Sequence, residues 1–170
     1  MDALVNKVAE SGIESFDLES FLPTEAIVVF DLKDHLFMQM ILKEKDFREV
    51  IKNLDLQAYE GKVVTITCSA DAVIPMWAYM LVASALEPVA AKVYVGREQE
   101  AAEKYLLEQL SALDVRRFEN KRVVIKGCGE REITPSAYVE ITRKLRPIAK
   151  SIMYGEPCST VPVFKKKAGS

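Results

Sequence analysis

Three cysteines are the residues with the most chemistry to offer: Cys68, Cys128 and Cys158. Carboxylates and hydroxyls share their segments, namely Ser69 and Asp71, Glu130, and Glu156 and Ser159. Gly127 and Gly129 flank Cys128 and free that backbone to approach a ligand. Three thiolates, completed by a carboxylate or water, suit a tetrahedral zinc ion, and three can also hold an iron–sulfur cluster with an outside fourth ligand. Cofactor expectations are therefore zinc or iron, with Cys68, Cys128 and Cys158 as ligands. A thiol enzyme is a second reading, because a cysteine near a helix N-terminus can be held as thiolate. A third is a small-ligand or partner-binding crevice in which Trp77 forms a wall and the cysteines are structural. The fourth is a non-catalytic domain whose thiols pack as small apolar groups. Elemental analysis of protein purified without a metal-affinity tag separates the first reading from the others. A charged thiol reagent separates reactive from buried cysteines.

Familiar motifs are missing. No Cys-x-x-Cys pair, no Gly-x-Gly-x-x-Gly and no Walker-type loop occurs. The single histidine, His35, excludes a His-rich zinc site and reads as a solvent-facing turn residue.

The elements that must position the cysteines look repeated. The stretch KVVTITCSADAVIPMWAYMLVASALEPVAAKVYVG, residues 62–96, resembles RVVIKGCGEREITPSAYVEITRKLRPIAKSIMYG, residues 122–155. Val63/Val123, Val64/Val124, Cys68/Cys128 and Pro75/Pro135 align at an offset of 60 (128 − 68). After one deletion Tyr79/Tyr138, Leu86/Leu145, Pro88/Pro147 and Gly96/Gly155 align at 59 (155 − 96). Each copy reads as strand, Cys-bearing loop, Pro-started helix and strand. Strand–helix–strand units without a hairpin turn imply parallel strands. The expected fold class is therefore a mixed, mostly parallel α/β sheet with helices on both faces. Two internally repeated strand–helix–strand units plus an N-terminal hairpin build it. If the first strands of the two units lie side by side, all three thiols leave one rim of one sheet, with His35 at the opposite edge.

The rest of the chain is arranged around these units within a single domain, 1–170. Residues 1–25 are an N-terminal extension, with a short helix over 4–11 and a loop over 15–23. Residues 26–61 hold an antiparallel hairpin, Ile27–Leu32 against Leu36–Leu42, and an amphipathic helix carrying Phe47, Val50, Ile51 and Leu54. The first repeat is 62–96, a linking helix lies within 97–120, the second repeat is 121–155, and 156–170 is a tail of ordered loop and loose end.

Composition narrows the partners. A net charge of −2 over 170 residues provides no global field for nucleic acid, and Lys165-Lys166-Lys167 reads as part of a solvated tail. The longest apolar stretch, 72–86, is too short to span a bilayer and contains a proline. The opening MDALVNKVAESG lacks the basic-then-apolar pattern of a signal peptide, and an odd number of cysteines argues against a disulfide framework. The expectation is a cytoplasmic protein with neither nucleic-acid nor membrane partners. The apolar run Val28–Leu42 needs cover, which points to a homodimer.

CSADAVIPMWAYML, VIKGC, ILKEKDFR and above all SIMYGEPCSTVPV resemble an uncharacterised bacterial family catalogued as a domain of unknown function (number twenty-four-eighty). The likeness runs over nearly the whole chain. It implies a bacterial cytosolic protein and lends no reaction. At the level of fold the order of elements is also similar to STAS-type domains, in which a serine in the loop after the central strand can be phosphorylated; Ser69 lies in that loop.

Overall fold

In the computed structural model, residues 12–127 and 129–169 are described. The helix expected over 4–11, and Cys128, lie outside them. Among the described residues seven strands and four α-helices follow in order: β1 (Ile13–Asp17), β2 (Val28–Asp31), α1 (Glu44–Lys52), β3 (Val63–Thr67), α2 (Met76–Leu86), β4 (Lys92–Val95), α3 (Glu98–Ala112), β5 (Arg122–Lys126), α4 (Pro135–Leu145), β6 (Ser151–Glu156) and β7 (Ser159–Lys165). The fold is mixed α/β and mostly parallel. Its strands form two sheets, ordered β2-β3-β4 and β1-β5-β6-β7. The chain divides into two compact units, one of Pro23–Tyr105 and one of the residues up to Leu22 with those from Leu106 onward. Among the described residues, no helix is long and apolar enough to cross a membrane.

In the Pro23–Tyr105 unit all strands are parallel, with β3 between β2 and β4. β3 is apolar on both faces because both are covered. Val64 and Ile66 join Phe47 of α1 and Ala78, Val82 and Leu86 of α2 in one buried cluster. Val63 packs from the other face with Tyr94 and Ala101 of α3. Thr65, buried in the same strand, donates its hydroxyl to the Gly96 carbonyl at 2.7 Å. That bond spares the core an unpaired polar group.

The expected hairpin over 27–42 is not a pair of strands. β2 runs parallel to β3, and Leu32–His35 is a 3₁₀ turn started by the Asp31 carboxylate, which accepts from the Lys33 amide at 2.9 Å. Leu36–Leu42 does not pair with β2; it folds on itself through an isolated antiparallel bridge, Phe37↔Ile41. Local capping at Asp31 and burial of both Leu32 and Leu42 outweigh the β-propensity of the run. The tip is tight: Met38 and Gln39 both have positive φ, and Met38 is 76% exposed.

In the other unit β1, β5 and β6 are parallel and β7 is antiparallel to β6. Two expectations are corrected here. Residues 13–17, of which Ser15, Phe16 and Asp17 fell in the expected loop, are a strand, because β5 needs a partner and Phe16 is buried when it pairs. The tail is also a strand; Pro162 is tolerated because β7 is at the sheet edge. Ala137, Ile141 and Leu145 bury one stripe of α4. Lys144 on that helix donates to the carbonyls of Leu110 and Leu113 at 2.7 and 2.8 Å. With the Ser111 carbonyl, which Lys144 also meets, these lie at the carboxyl end of α3, where a cation is favourably placed.

Local geometry recurs between the units at a constant spacing of 59 (121 − 62). The Ala91 amide donates to Lys62 and the Lys150 amide to Lys121, each at 2.8 Å. Gly61 and Asn120 have φ of 67° and 56°, and Gly96 and Gly155 of 130° and 119°. Val64 pairs with Val93, and Val123 with Ile152.

Ile141→Ala is expected to cost about 2–5 kcal/mol by opening a cavity, and Asn120→Val about 1–2 kcal/mol by forcing a β-branched residue into left-handed backbone. Val139→Ala, at an exposed position of the same helix, should stay within about 0.5 kcal/mol. Urea unfolding of the three variants measures this ordering.

Candidate functional site

Parallel strands present their loops at the carboxyl edge of the sheet, where α/β folds hold ligands. In the Pro23–Tyr105 unit this edge carries Asp31, at the end of β2, and the loop after β3. Ser69 donates both its amide, at 3.1 Å, and its hydroxyl, at 2.5 Å, to the Asp31 carboxylate. Partial burial pushes the Asp31 carboxyl up. The Ser69 hydroxyl and the amides of Lys33 and Ser69 outweigh it and hold the group below its ordinary value. The Ser69 hydroxyl is thus committed to a structural clamp between β2 and β3. Cys68 is half-buried against the core, with its thiol 3.6 Å from the Ala70 carbonyl. Asp71 is exposed, and Trp77 packs on Phe47 with ring centres 6.1 Å apart. His35 lies in the 3₁₀ turn after β2 but is half-buried rather than fully turned to solvent. It stacks on Phe30 at 5.3 Å, past the end of β2, and so lies off the same edge as Cys68.

In the other unit the loop after β5 carries Gly127, Gly129 and Glu130. Both glycines are pinched. A Cβ on Gly127 would stand 1.8 Å from the Tyr138 hydroxyl, and one on Gly129 1.8 Å from a Glu19 carboxylate oxygen. Glu19 accepts from the Arg131 amide and ties this loop to the turn after β1. Asp17, Glu19, Ser20, Glu130 and Arg131 line an open cleft of about 370 Å³ there. Cys158 is exposed in the turn joining β6 to β7, where Glu156 pairs with Ser159. Glu156 also meets Lys126 at 3.2 Å.

The expectation that all three thiols share one sheet rim is corrected by the sheet count. β3 lies between β2 and β4, whereas β5 lies between β1 and β6, so Cys68 and Cys158 leave different sheets. The side-by-side arrangement of β3 and β5 fails because β1 takes the place beside β5. Among the described residues no group of three or more His, Cys, Asp or Glu side chains is gathered to hold a metal ion.

A feature the sequence reading missed lies on the same unit. α4, β5, β6 and β7 line an open, largely apolar pocket of about 420 Å³. Tyr138 and Tyr154 meet edge-to-face in its wall, 5.7 Å apart, and Val139, Thr142 and Val163 complete its mouth. Recognising it needed β7 as a strand; the alternation of Val161 and Val163 around Pro162 was the available signal.

The fold and these sites define an α/β protein with a pocketed second unit and no gathered metal-ligand set among the described residues. The chain belongs to the family described as Protein of unknown function (DUF2480), which it matches over residues 2–166. Comparison with curated proteins and with solved structures finds no match.

Two substitutions test the loops. Asp31→Ala is expected to cost about 1–2 kcal/mol at neutral pH through lost charge-assisted hydrogen bonds. Because the folded-state value lies below 3.8, this contribution is complete above pH 3.8 and is lost only as the pH falls through the lower, folded value. Urea titrations at pH 7, 5 and 3 should show the gap between wild type and variant narrowing only at the lowest pH. Gly127→Ala should cost about 1–3 kcal/mol by overpacking against Tyr138. In a Tyr138→Phe background the loss should shrink without vanishing, since the ring carbon lies 2.6 Å from the added Cβ.

Proposed function

We propose that this protein is a small-ligand-binding module and that its ligand occupies the apolar pocket between α4 and the β5-β6-β7 face. The observation that carries this reading is the pocket itself, whose volume of about 420 Å³ falls in the range of small-molecule sites. Its walls are aliphatic and aromatic, with hydroxyls only from Thr142, Tyr138 and Tyr154. A flat, largely apolar ligand with one or two hydrogen-bonding groups suits such a lining. Tyr138 links the pocket to the loop after β5, because its ring faces Tyr154 and its hydroxyl reaches Gly127. A ligand that moves this ring therefore acts on the loop that carries Cys128.

The internal repeat belongs to the same reading. We read the two units as copies of one plan, which the shared hydrogen bonds and glycine conformations at a spacing of 59 support. The copies differ where the pocket lies. Val95 stands in the first unit where Tyr154 stands in the second, and β4 is the last strand of its sheet, with no counterpart of β7. Met76 and Met80 of α2 are exposed in the first unit. On this reading the second copy acquired its ligand site with its additional strand.

Titration with 1-anilinonaphthalene-8-sulfonate should give a saturable, blue-shifted fluorescence increase. Val139→Lys, which places a charge at the mouth, should abolish it while near-ultraviolet circular dichroism stays unchanged. An equal response from the folded variant would place the dye, and the proposed site, elsewhere.

A further inference from the structure

At the opposite, amino edge of the four-stranded sheet the register collects cations. Arg122 opens β5 and is paired with Ser151, which opens β6 and is paired with Lys165 at the end of β7. One residue further out, the Lys150 amide donates to the Lys121 carbonyl and the Lys166 amide to the Lys150 carbonyl, each at 2.8 Å. Lys121, Lys150 and Lys166 thus form one transverse row across three strands, with neighbouring strands about 4.8 Å apart. Arg146, just past the end of α4, stacks its guanidinium on Phe164 at 3.8 Å. Arg146, Pro147, Phe164 and Lys165–Lys167 line a concavity of about 270 Å³.

This arrangement opposes stability. Like charges directly opposite on neighbouring strands repel, typically by a few tenths to about 1 kcal/mol per pair. Surface cations are ordinarily relieved by carboxylates. Yet Lys121, Arg122, Arg146, Lys150, Lys165 and Lys166 make no salt bridge with any described carboxylate. Glu119, two residues before Lys121, likewise makes none. The charge is also local, since the whole chain carries a net −2.

We propose that this edge is a binding site for a compact oligophosphate, the phosphate chain of a small molecule. Arg146, held flat by Phe164, offers a planar fork that matches phosphate oxygens, and the lysines supply point charges around it. So many cations against so small a concavity call for a compact, multiply charged anion rather than a single carboxylate. A long polyanion fits less well, because its charge would extend past the patch onto a chain that is acidic overall. The site shares no lining residue with the apolar pocket and does not depend on it.

Isothermal titration calorimetry of the full chain with inorganic tripolyphosphate tests the proposal, at 20 mM and 150 mM salt. Saturable one-to-one binding is expected, weaker at the higher salt. Arg146→Lys and Lys166→Ala should each weaken it at least tenfold, whereas Lys52→Ala in the other unit should not. Lys150→Thr should raise the urea midpoint at low salt while weakening tripolyphosphate binding, a pairing that rules out misfolding as the cause. Absence of binding, or equal binding by the folded Arg146→Lys and Lys166→Ala variants, would overturn the site. So would tight binding of a single-stranded oligonucleotide that tripolyphosphate fails to displace, which would make the edge a nucleic-acid surface instead.

Discussion

A buried parallel strand must have both of its edges hydrogen-bonded, and this requirement shapes both units. β3 and β5 are each apolar along most of their length and covered on their faces, so neither edge is open to water. Every unpaired amide there would cost as much as a lost hydrogen bond. On one side the partner comes from the following helix crossover, β4 or β6. On the other it comes from a short upstream strand, β2 for β3 and β1 for β5. Both upstream strands end in an aspartate that starts a 3₁₀ turn, Asp17 with the Glu19 amide and Asp31 with the Lys33 amide. The turn stops the strand and carries the chain off the edge.

This explains which parts of the fold the sequence displayed. β3 and β5 are runs of Val and Ile with Thr or Lys. α2 and α4 bury residues at four-residue spacing; Gly96 follows β4, and Gly155 is the penultimate residue of β6. Those signals are local, and the elements were found. β1 is not locally encoded in the same way. Ile13–Asp17 reads IESFD, which carries acidic residues and only one large buried side chain, Phe16. It is a strand because β5 offers it a ladder, a tertiary cause with no sequence period of its own. The apolar run after β2 misled in the opposite direction, since Asp31 capping turned a would-be hairpin into a 3₁₀ turn and an exposed tip.

The functional residues divide along the same line. Loops leave β3 and β5 where their apolar runs end, with Cys68 in the first and Cys128 outside the described residues. Their convergence did not follow, because it rests on the number of sheets. A sequence repeat is equally compatible with one continuous sheet or with two, and only the placement of β1 beside β5 distinguishes them.

Among the described residues of its sheet, β7 is the strand that runs antiparallel, and its direction creates features at both ends of that sheet. Gly155, paired with Thr160 just before the turn, lets the two strands approach: at φ 119° a side chain there would be strained, and a Cβ would stand 2.6 Å from the Ser159 carbonyl. Past that turn, Cys158 is left exposed at the carboxyl edge. Along the strand, Val163 closes the apolar pocket against Tyr154 and α4. At its far end, Lys165 and Lys166 arrive beside the starts of β5 and β6, because only an antiparallel strand returns to the amino edge. A purely parallel sheet concentrates its chemistry at one edge. Here a single added antiparallel strand extends it to the other, joining lysines from residues 121, 150 and 166 that no pattern along the chain connects.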